Sequence, residues 1–395
     1  KEHRKSIFSA GLYTILLGSL ILLAAGPLLS RSEGLHEYVE LICAYTLASC
    51  LHSLCAQYIR AEGKTALFAG QGIFNTALVI WFNILFLQVF RLGVFGYVMS
   101  VVVADGICTG YLVLREKLWK LLVPKPDDSV TKAMLRYSIP LIPATIFWWI
   151  TSVSDRYMVT WFLGTEANGL YAVACKIPTI LSLLSTIFME AWQFSAISEA
   201  TGDREVHIRF YSQVWGFFLS AMVLVGSVMI VLCRLEIRVL AARSYYAAWQ
   251  YVPVLAMAMV FSAFSSFMNS VYVVMEKSHL SLWTAVWGAG ANILMNLWMI
   301  PRIGIQGAAI ATLVSYLMCF GIRAVSARRL IPFRLYPGRL TVSTGLLMLQ
   351  SLLCFWGSPI QPFVQMGAFV LLVTVNHKPI FEMLEQVLRI IRRRA

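Results

Sequence analysis

A 395-residue chain with 59% hydrophobic and only 13% charged side chains, and a mean hydropathy of +0.74, cannot bury its apolar surface in one soluble core; it reads as a polytopic membrane protein. The formal charge of +13 excludes nucleic acid as the partner, because the basic residues fall between apolar runs and do not gather on a soluble face. The eight cysteines lie mostly within those runs, with no Cys-x-x-Cys spacing and no neighbouring His pair, which excludes a disulfide framework and a metal site.

Lys1, Arg4 and Lys5 lead straight into a full-length apolar run, with no short apolar region ending at a small-residue cleavage site. The pattern predicts an all-α protein of twelve spans: 6–29, 38–59, 66–90, 94–114, 138–162, 169–197, 210–232, 248–274, 279–300, 304–322, 340–356 and 361–377. Short connections make consecutive spans antiparallel neighbours. If the N-terminus is cytoplasmic, 24 of the 32 Lys and Arg residues fall in inner segments; Arg323, with Arg328 and Arg329, is counted there. This bias places both termini in the cytoplasm, with an even number of spans.

The linker from Arg115 to Arg136 is the longest hydrophilic segment, and Pro124-Lys125-Pro126-Asp127-Asp128 marks it as a connection between lobes. The expected organisation is a first lobe of four spans over 1–124, a second lobe of six over 125–335, an extra helix pair over 336–378 and a tail over 379–395. In the tail, Ile380, Leu384, Val387, Leu388 and Ile391 alternate with charged residues, so it is expected to lie on the inner membrane surface.

The lobes repeat. Arg91-Leu92-Gly93-Val94-Phe95-Gly96 matches Arg302-Ile303-Gly304-Ile305-Gln306-Gly307, and Glu62-Gly63-Lys64 faces Met275-Glu276-Lys277. Both halves run inside to inside, so the expected pseudo-two-fold axis lies along the membrane normal. The pair 138–197 has no counterpart in the first lobe; a further helix pair ahead of residue 1, giving fourteen spans and two six-helix lobes, is expected, with a natural twelve-span chain as the alternative.

No Walker, Gly-x-Ser-x-Gly or His-Glu-x-x-His motif is present. The expectation is a transporter without cofactor, driven by a proton or sodium gradient, the membrane potential or the substrate's own gradient. Of six histidines only His52 lies well inside a span, where a hydrogen-bonded interior residue is a simpler reading than a proton carrier.

Ionisable residues within apolar helices are the main lead, since a charge at the bilayer centre costs about 2.5–3.5 kcal/mol and normally faces a bundle interior or wet cavity. Asp155, Arg156, Lys176, Glu190 and, in the fourth span, Asp105 qualify. The spacing of Ser138, Thr145, Trp148, Ser152 and Asp155 predicts one polar face, and that of Lys176, Thr179, Ser182, Thr186, Glu190 and Gln193 a second. Asp155 and Arg156 as an interfacial pair, and Lys176 snorkelling outwards, are the plainer alternatives.

Leu135-Arg136-Tyr137-Ser138-Ile139-Pro140-Leu141-Ile142-Pro143, Trp148-Trp149-Ile150, Ser154-Asp155-Arg156-Tyr157, the run from Gly169 to Pro178 and Glu190-Ala191-Trp192-Gln193 resemble polysaccharide-type (Wzx-like) lipid-linked oligosaccharide flippases. So does the Gly-rich stretch from Ile300 to Thr312. These belong to the multidrug/oligosaccharidyl-lipid/polysaccharide exporter (MOP) superfamily. The resemblance implies alternating access between two lobes. It also implies a polyprenyl-diphosphate-linked oligosaccharide as substrate, its head in a cationic cavity and its lipid tail outside, with membrane lipid and other polysaccharide-assembly proteins as the remaining partners. Arg156 and Lys176 would then offset the diphosphate, Trp148 and Trp149 face sugar rings, and Asp155, Glu190 and Asp105 balance charge or couple ions. A multidrug exporter of the same superfamily is the alternative. A membrane-embedded glycosyltransferase or polymerase is disfavoured, since no extramembrane segment is long enough for a catalytic domain.

Overall fold

The computed structural model describes residues 2–29, 38–199 and 204–394; Lys1, Arg31 and His36 lie outside them, as do the side chains of the basic tail from 386 onward. Every regular element among the described residues is helical, and the chain divides into two compact units, 1–136 and 137–395.

Unit 1 begins with α1 (Glu2–Leu29), α2 (Val39–Ala61), α3 (Thr65–Asn83) and α4 (Gly93–Glu116), α3 running on into a wider π-helical segment, Ile84–Val89. α4 packs on α2 and α3, and α1 packs on α2. The core is small: Phe8, Cys55, Ile59, Leu112 and Leu118. After α4 the linker is fastened to α1, because Ser9 Oγ donates to the Leu121 carbonyl (3.2 Å) and accepts from Val123 N (2.9 Å), while Tyr13 OH donates to Val123 O (3.0 Å). Asp127 then caps α5 (Asp128–Ser138), its Oδ1 accepting from Ser129 N at 2.9 Å. The boundary between units falls inside α5, not at the expected 124/125.

Unit 2 contains α6 (Leu141–Leu163), α7 (Thr165–Lys176), α8 (Thr179–Glu199), α9 (Arg204–Leu240), α10 (Val252–Val274), α11 (Ser278–Ile303), α12 (Ile305–Leu330), α13 (Pro337–Leu353) and α14 (Gln361–Arg394). The single span expected over 169–197 is two helices bent by 43° between Lys176 and Thr179; Pro178 has no N–H to continue the ladder there. α10 is the central helix: 16 of its 23 residues are buried, which is why its sequence is apolar on nearly every side. Around it, Trp192 stacks on Phe267 (5.3 Å, 15°) and Phe218 stacks on the same ring (5.5 Å, 24°), with Trp215 packed edge-on to Phe264. The terminal pair is locked to α9 by buried polar contacts: Ser227 Oγ donates to Gln350 Oε1 (2.8 Å) and Ser220 Oγ to Asn376 Oδ1 (3.1 Å). The stretch 379–394 continues helix α14 beyond the expected last span.

By length and composition eight helices among the described residues can cross a membrane, nine if the bent pair α7–α8 counts as one. The other three expected spans are helical but polar-diluted or short: α11 carries Asn292 and Asn296, α13 has 17 residues, and α14 carries Gln361, Gln365 and Asn376. The protein is an all-helical polytopic membrane protein.

The sequence repeat has a backbone counterpart in each unit. Gly93 and Gly304 both take positive φ (+56° and +64°), as do Gly63 (+78°) and Glu276 (+54°) at the other matched turn. Three residues after the first pair, a Cβ on Gly96 would meet Leu92 Cβ at 2.9 Å, and one on Gly307 would meet Met299 backbone atoms at 2.6 Å. Gly96 and Gly307 thus leave no room for a side chain, whereas Gly93 and Gly304 serve their turns through a positive φ.

Candidate functional site

α6 opens after Pro140 and presents Thr145, Trp148 and Ser152 along one face, at steps of three and four. These residues form one wall of a cavity of about 410 Å³ within unit 2. Gln193 from α8, Ser266 and Asn269 from α10, Ser281 from α11 and Arg323 from α12 complete its polar lining. Ser281 Oγ donates to Asn269 Oδ1 at 2.6 Å, which fixes the amide with its oxygen occupied.

Arg323 is the charge of this cavity. It is 5% exposed, donates from Nε to Thr284 Oγ1 (2.9 Å) and from Nη1 to the Ser265 carbonyl (3.1 Å), and lies 5.3 Å from the Trp148 ring centroid. Trp148 in turn stacks on buried Tyr316 at 5.3 Å and 27°. No carboxylate forms an ion pair with Arg323 among the described residues, and the cavity lining contains no Asp or Glu. Neutral acceptors and an aromatic face surround the guanidinium and only partly offset its loss of hydration. Counting Arg323 with the inner-loop residues is corrected here: α12 runs to Leu330 and places it inside the helix. The spacing of Thr312, Ser315, Cys319 and Arg323, at three and four residues, was the available signal.

Asp155 lies apart from this cavity in a cage of donors. Tyr171 OH (2.9 Å) and Thr312 Oγ1 donate to Oδ2, and Asn296 Nδ2 donates to Oδ1 at 2.5 Å. Asn292 Oδ1 accepts from Asn296 Nδ2 (3.1 Å) and from Ser154 Oγ (2.7 Å). Asp155 is 3% exposed whereas Arg156, one residue round the helix, is exposed, and no ion pair joins them. Two buried amide atoms in the cage, Asn292 Nδ2 and Asn296 Oδ1, have no protein partner.

The structure thus brings Trp148, Ser152 and Gln193 into one cavity and sets Asp155 in its own network. Arg156, Lys176, Thr179, Thr186 and Glu190 are exposed on unit 2 and do not line the cavity. The hydroxyls of Thr179 and Thr186 bond back to their own helices, at Cys175 O and Ser182 O. Asp105 belongs to unit 1, where it is buried beside His52. Among the described residues no group of His, Cys, Asp and Glu could hold a metal ion.

The sequence profile of the family described as "Polysaccharide biosynthesis protein" matches residues 1–201, which covers unit 1 and α6 to α8. No curated protein matches the chain. Among solved structures, a Vibrio cholerae MATE transporter, VcmN in its bent form, aligns with a TM-score of 0.69 at 16% identity, over 84% of this chain and 81% of that one. A MATE transporter in the straight conformation aligns at 0.69 and 13% identity, over 84% and 83%. An outward-facing multidrug resistance MATE family transporter of the MOP superfamily aligns at 0.66 and 11% identity, over 84% of each chain. At these identities the likeness is one of fold. The chain belongs to the polysaccharide biosynthesis protein family, and its fold is that of the MOP-superfamily transporters.

Proposed function

We propose that this protein is a flippase that carries a polyprenyl-diphosphate-linked oligosaccharide from the inner to the outer leaflet of the bacterial cytoplasmic membrane, by alternating access, for cell-surface polysaccharide synthesis. One observation carries this reading over a multidrug exporter: among the described residues, the cavity of unit 2 holds a buried guanidinium with no carboxylate ion pair and no acidic residue in its lining. A cationic drug would be repelled there, whereas a diphosphate supplies the missing charge in a geometry a planar guanidinium fits. Trp148 offers an apolar face to a sugar ring, and Asn269, Gln193 and the serines offer hydrogen bonds to hydroxyls. Arg156 and Lys176, exposed on the same unit, would meet the head group elsewhere on its path. The distribution of Lys and Arg supports cytoplasmic placement of both termini. With no nucleotide motif, the driving force is an ion gradient or the membrane potential. Asp155 and its ring of hydroxyl and amide groups is the place in unit 2 suited to a proton or sodium ion.

The test is restoration of surface glycan in cells lacking their own flippase. The full chain carrying Arg323→Ala, present in the membrane at normal level, should restore export at least tenfold less well than the parent, the scale expected for losing a charged hydrogen bond of about 1.5–3 kcal/mol. Unchanged glycan with Arg323→Ala, and with Arg156→Ala and Lys176→Ala combined, would remove the cationic-head-group reading. Altered resistance to cationic compounds in its place would favour the multidrug alternative.

A further inference from the structure

Unit 1 holds its own buried carboxylate, and the neighbours of this group dictate where hydrogens sit. Asp105 on α4 is 4% exposed; its Oδ2 accepts from Ser49 Oγ at 2.6 Å and its Oδ1 from Asn75 Nδ2 at 3.0 Å. His52 Nδ1 lies 3.2 Å from the same Oδ1. A carboxylate already held by two neutral donors acts as an acceptor, so Nδ1 carries a hydrogen. The second ring nitrogen, Nε2, is 2.7 Å from Oε1 of Gln71 on α3. Ring protonation and amide orientation are therefore coupled: the doubly protonated ring is satisfied with the Gln71 carbonyl at Nε2, as the amide stands here. A neutral ring with hydrogen on Nδ1 has a lone pair at Nε2, which needs a donor; Gln71 can provide one only by turning its amide end over end.

Gln71 is 5% exposed and also lines a groove of about 500 Å³, together with Leu67, Gly70, Phe74, Tyr111 and Arg115. Turning the amide exchanges an NH₂ for a carbonyl on its groove side. Other ionisable groups on the packed elements are engaged elsewhere or lie at helix ends. α3 has none between Thr65 and Asn83. On α1, Lys5 sits in the first turns, Arg4 pairs with Glu62, and Tyr13 donates to Val123 O. At the far ends of α2 and α4, Arg60 lies over Phe68, Lys64 pairs with Glu116, and Arg115 lies against Tyr111. Besides these, α2 carries Glu40, Tyr45, Tyr58 and the thiols of Cys43, Cys50 and Cys55, and α4 carries Tyr97 and the Cys108 thiol; Cys55 and Cys108 stand three residues along from His52 and Asp105.

We propose that His52 and Asp105 form a proton-binding site in unit 1, whose occupancy sets which end of the Gln71 amide faces the α3–α4 groove. Only one proton moves: Nε2 releases it to water in the groove, the Gln71 NH₂ then donates to Nε2, and Nδ1–H stays on Asp105. This step stands on the geometry of unit 1 and does not require the flippase reading.

The experiment is ¹⁵N NMR of the full chain in lipid nanodiscs with labelled histidine and glutamine, His52 assigned by loss of its signals in His52→Gln. As pH rises, the Nε2 resonance of His52 should shift as it loses its proton while Nδ1 stays protonated, and one glutamine side-chain amide, missing in Gln71→Leu, should shift with the same midpoint. Gln71→Glu, an acceptor that cannot become a donor, should hold the ring doubly protonated across the range where the parent titrates. A neutral ring with its hydrogen on Nε2, or a Gln71 amide that does not move with pH, overturns the proposal. In glycan-export assays, His52→Gln should flatten the pH dependence; if the parent chain itself restores no export while the NMR result holds, the flippase reading is wrong and the proton site stands.

Discussion

A guanidinium held by Thr284 Oγ1, the Ser265 carbonyl and the face of Trp148 has its shape fixed but its charge unanswered. Such a residue costs the fold free energy, because these neutral partners, with no carboxylate paired to it among the described residues, offset only part of its dehydration. Arg323→Gln should accordingly leave thermal stability in detergent equal to or above that of the parent while lowering export, a separation that a purely structural arginine would not show. Asp155 should behave in the opposite way. Three donors converge on it, from Tyr171, Asn296 and Thr312, so Asp155→Ala orphans each at about 1–3 kcal/mol and should lower the melting temperature markedly. Asp155→Asn, of the same shape, should recover most of that loss yet remain defective in export if the carboxylate binds the coupling ion; full export by Asp155→Asn would remove that role.

At the scale of elements, the two matched turns show why glycine stands where it does. α12 leaves its turn so close to the end of α11 that a Cβ on Gly307 would sit 2.6 Å from the Met299 carbonyl carbon. Backbone cannot give way as a flexible side chain can, so Gly307→Ala should destabilise unit 2 by about 1–3 kcal/mol, read as a lowered melting temperature. Gly290, in α11 with nothing within 4 Å of its would-be Cβ, is the control: Gly290→Ala should be neutral or stabilising by up to about 1 kcal/mol. The bend at Pro178 belongs to this scale too. Its position was visible in the sequence, but the 43° angle between α7 and α8 depends on how α8 settles against α10.

For the molecule as a whole, the charge pattern predicts that a cysteine replacing Lys125, in the linker, or Arg329, at the end of α12, is labelled by a membrane-impermeant thiol reagent only after cells are opened, whereas one replacing Arg243, after α9, is labelled in intact cells. Labelling of the first two in intact cells, with the third labelled only after opening, would reverse the proposed orientation.

The all-helical membrane fold, the internal repeat and the membership of a polysaccharide-biosynthesis family were legible in the residues themselves. Spans are set by runs of apolar residues that must satisfy their own backbone bonds, and that constraint is local. The matched glycines were legible for the same reason, since tight turns and close helix approaches admit few residues. The site was legible only in part. Helical spacing put Trp148 and Ser152 on one face and Gln193 on another; the structure sets the three around one cavity of unit 2 and buries Asp155. Spacing along one helix, however, cannot say which neighbour covers which face. It could not separate Asp155 from adjacent Arg156, show that Thr179 and Thr186 spend their hydroxyls on their own backbone, or move Arg323 from a presumed loop into the protein interior. Composition and periodicity determined that this chain crosses a membrane and repeats itself. Tertiary packing alone decided which charges are buried and with whom, because burial of a side chain depends on helices brought together from 100 or more residues away, such as α6 with α11 and Asp155 with Asn296.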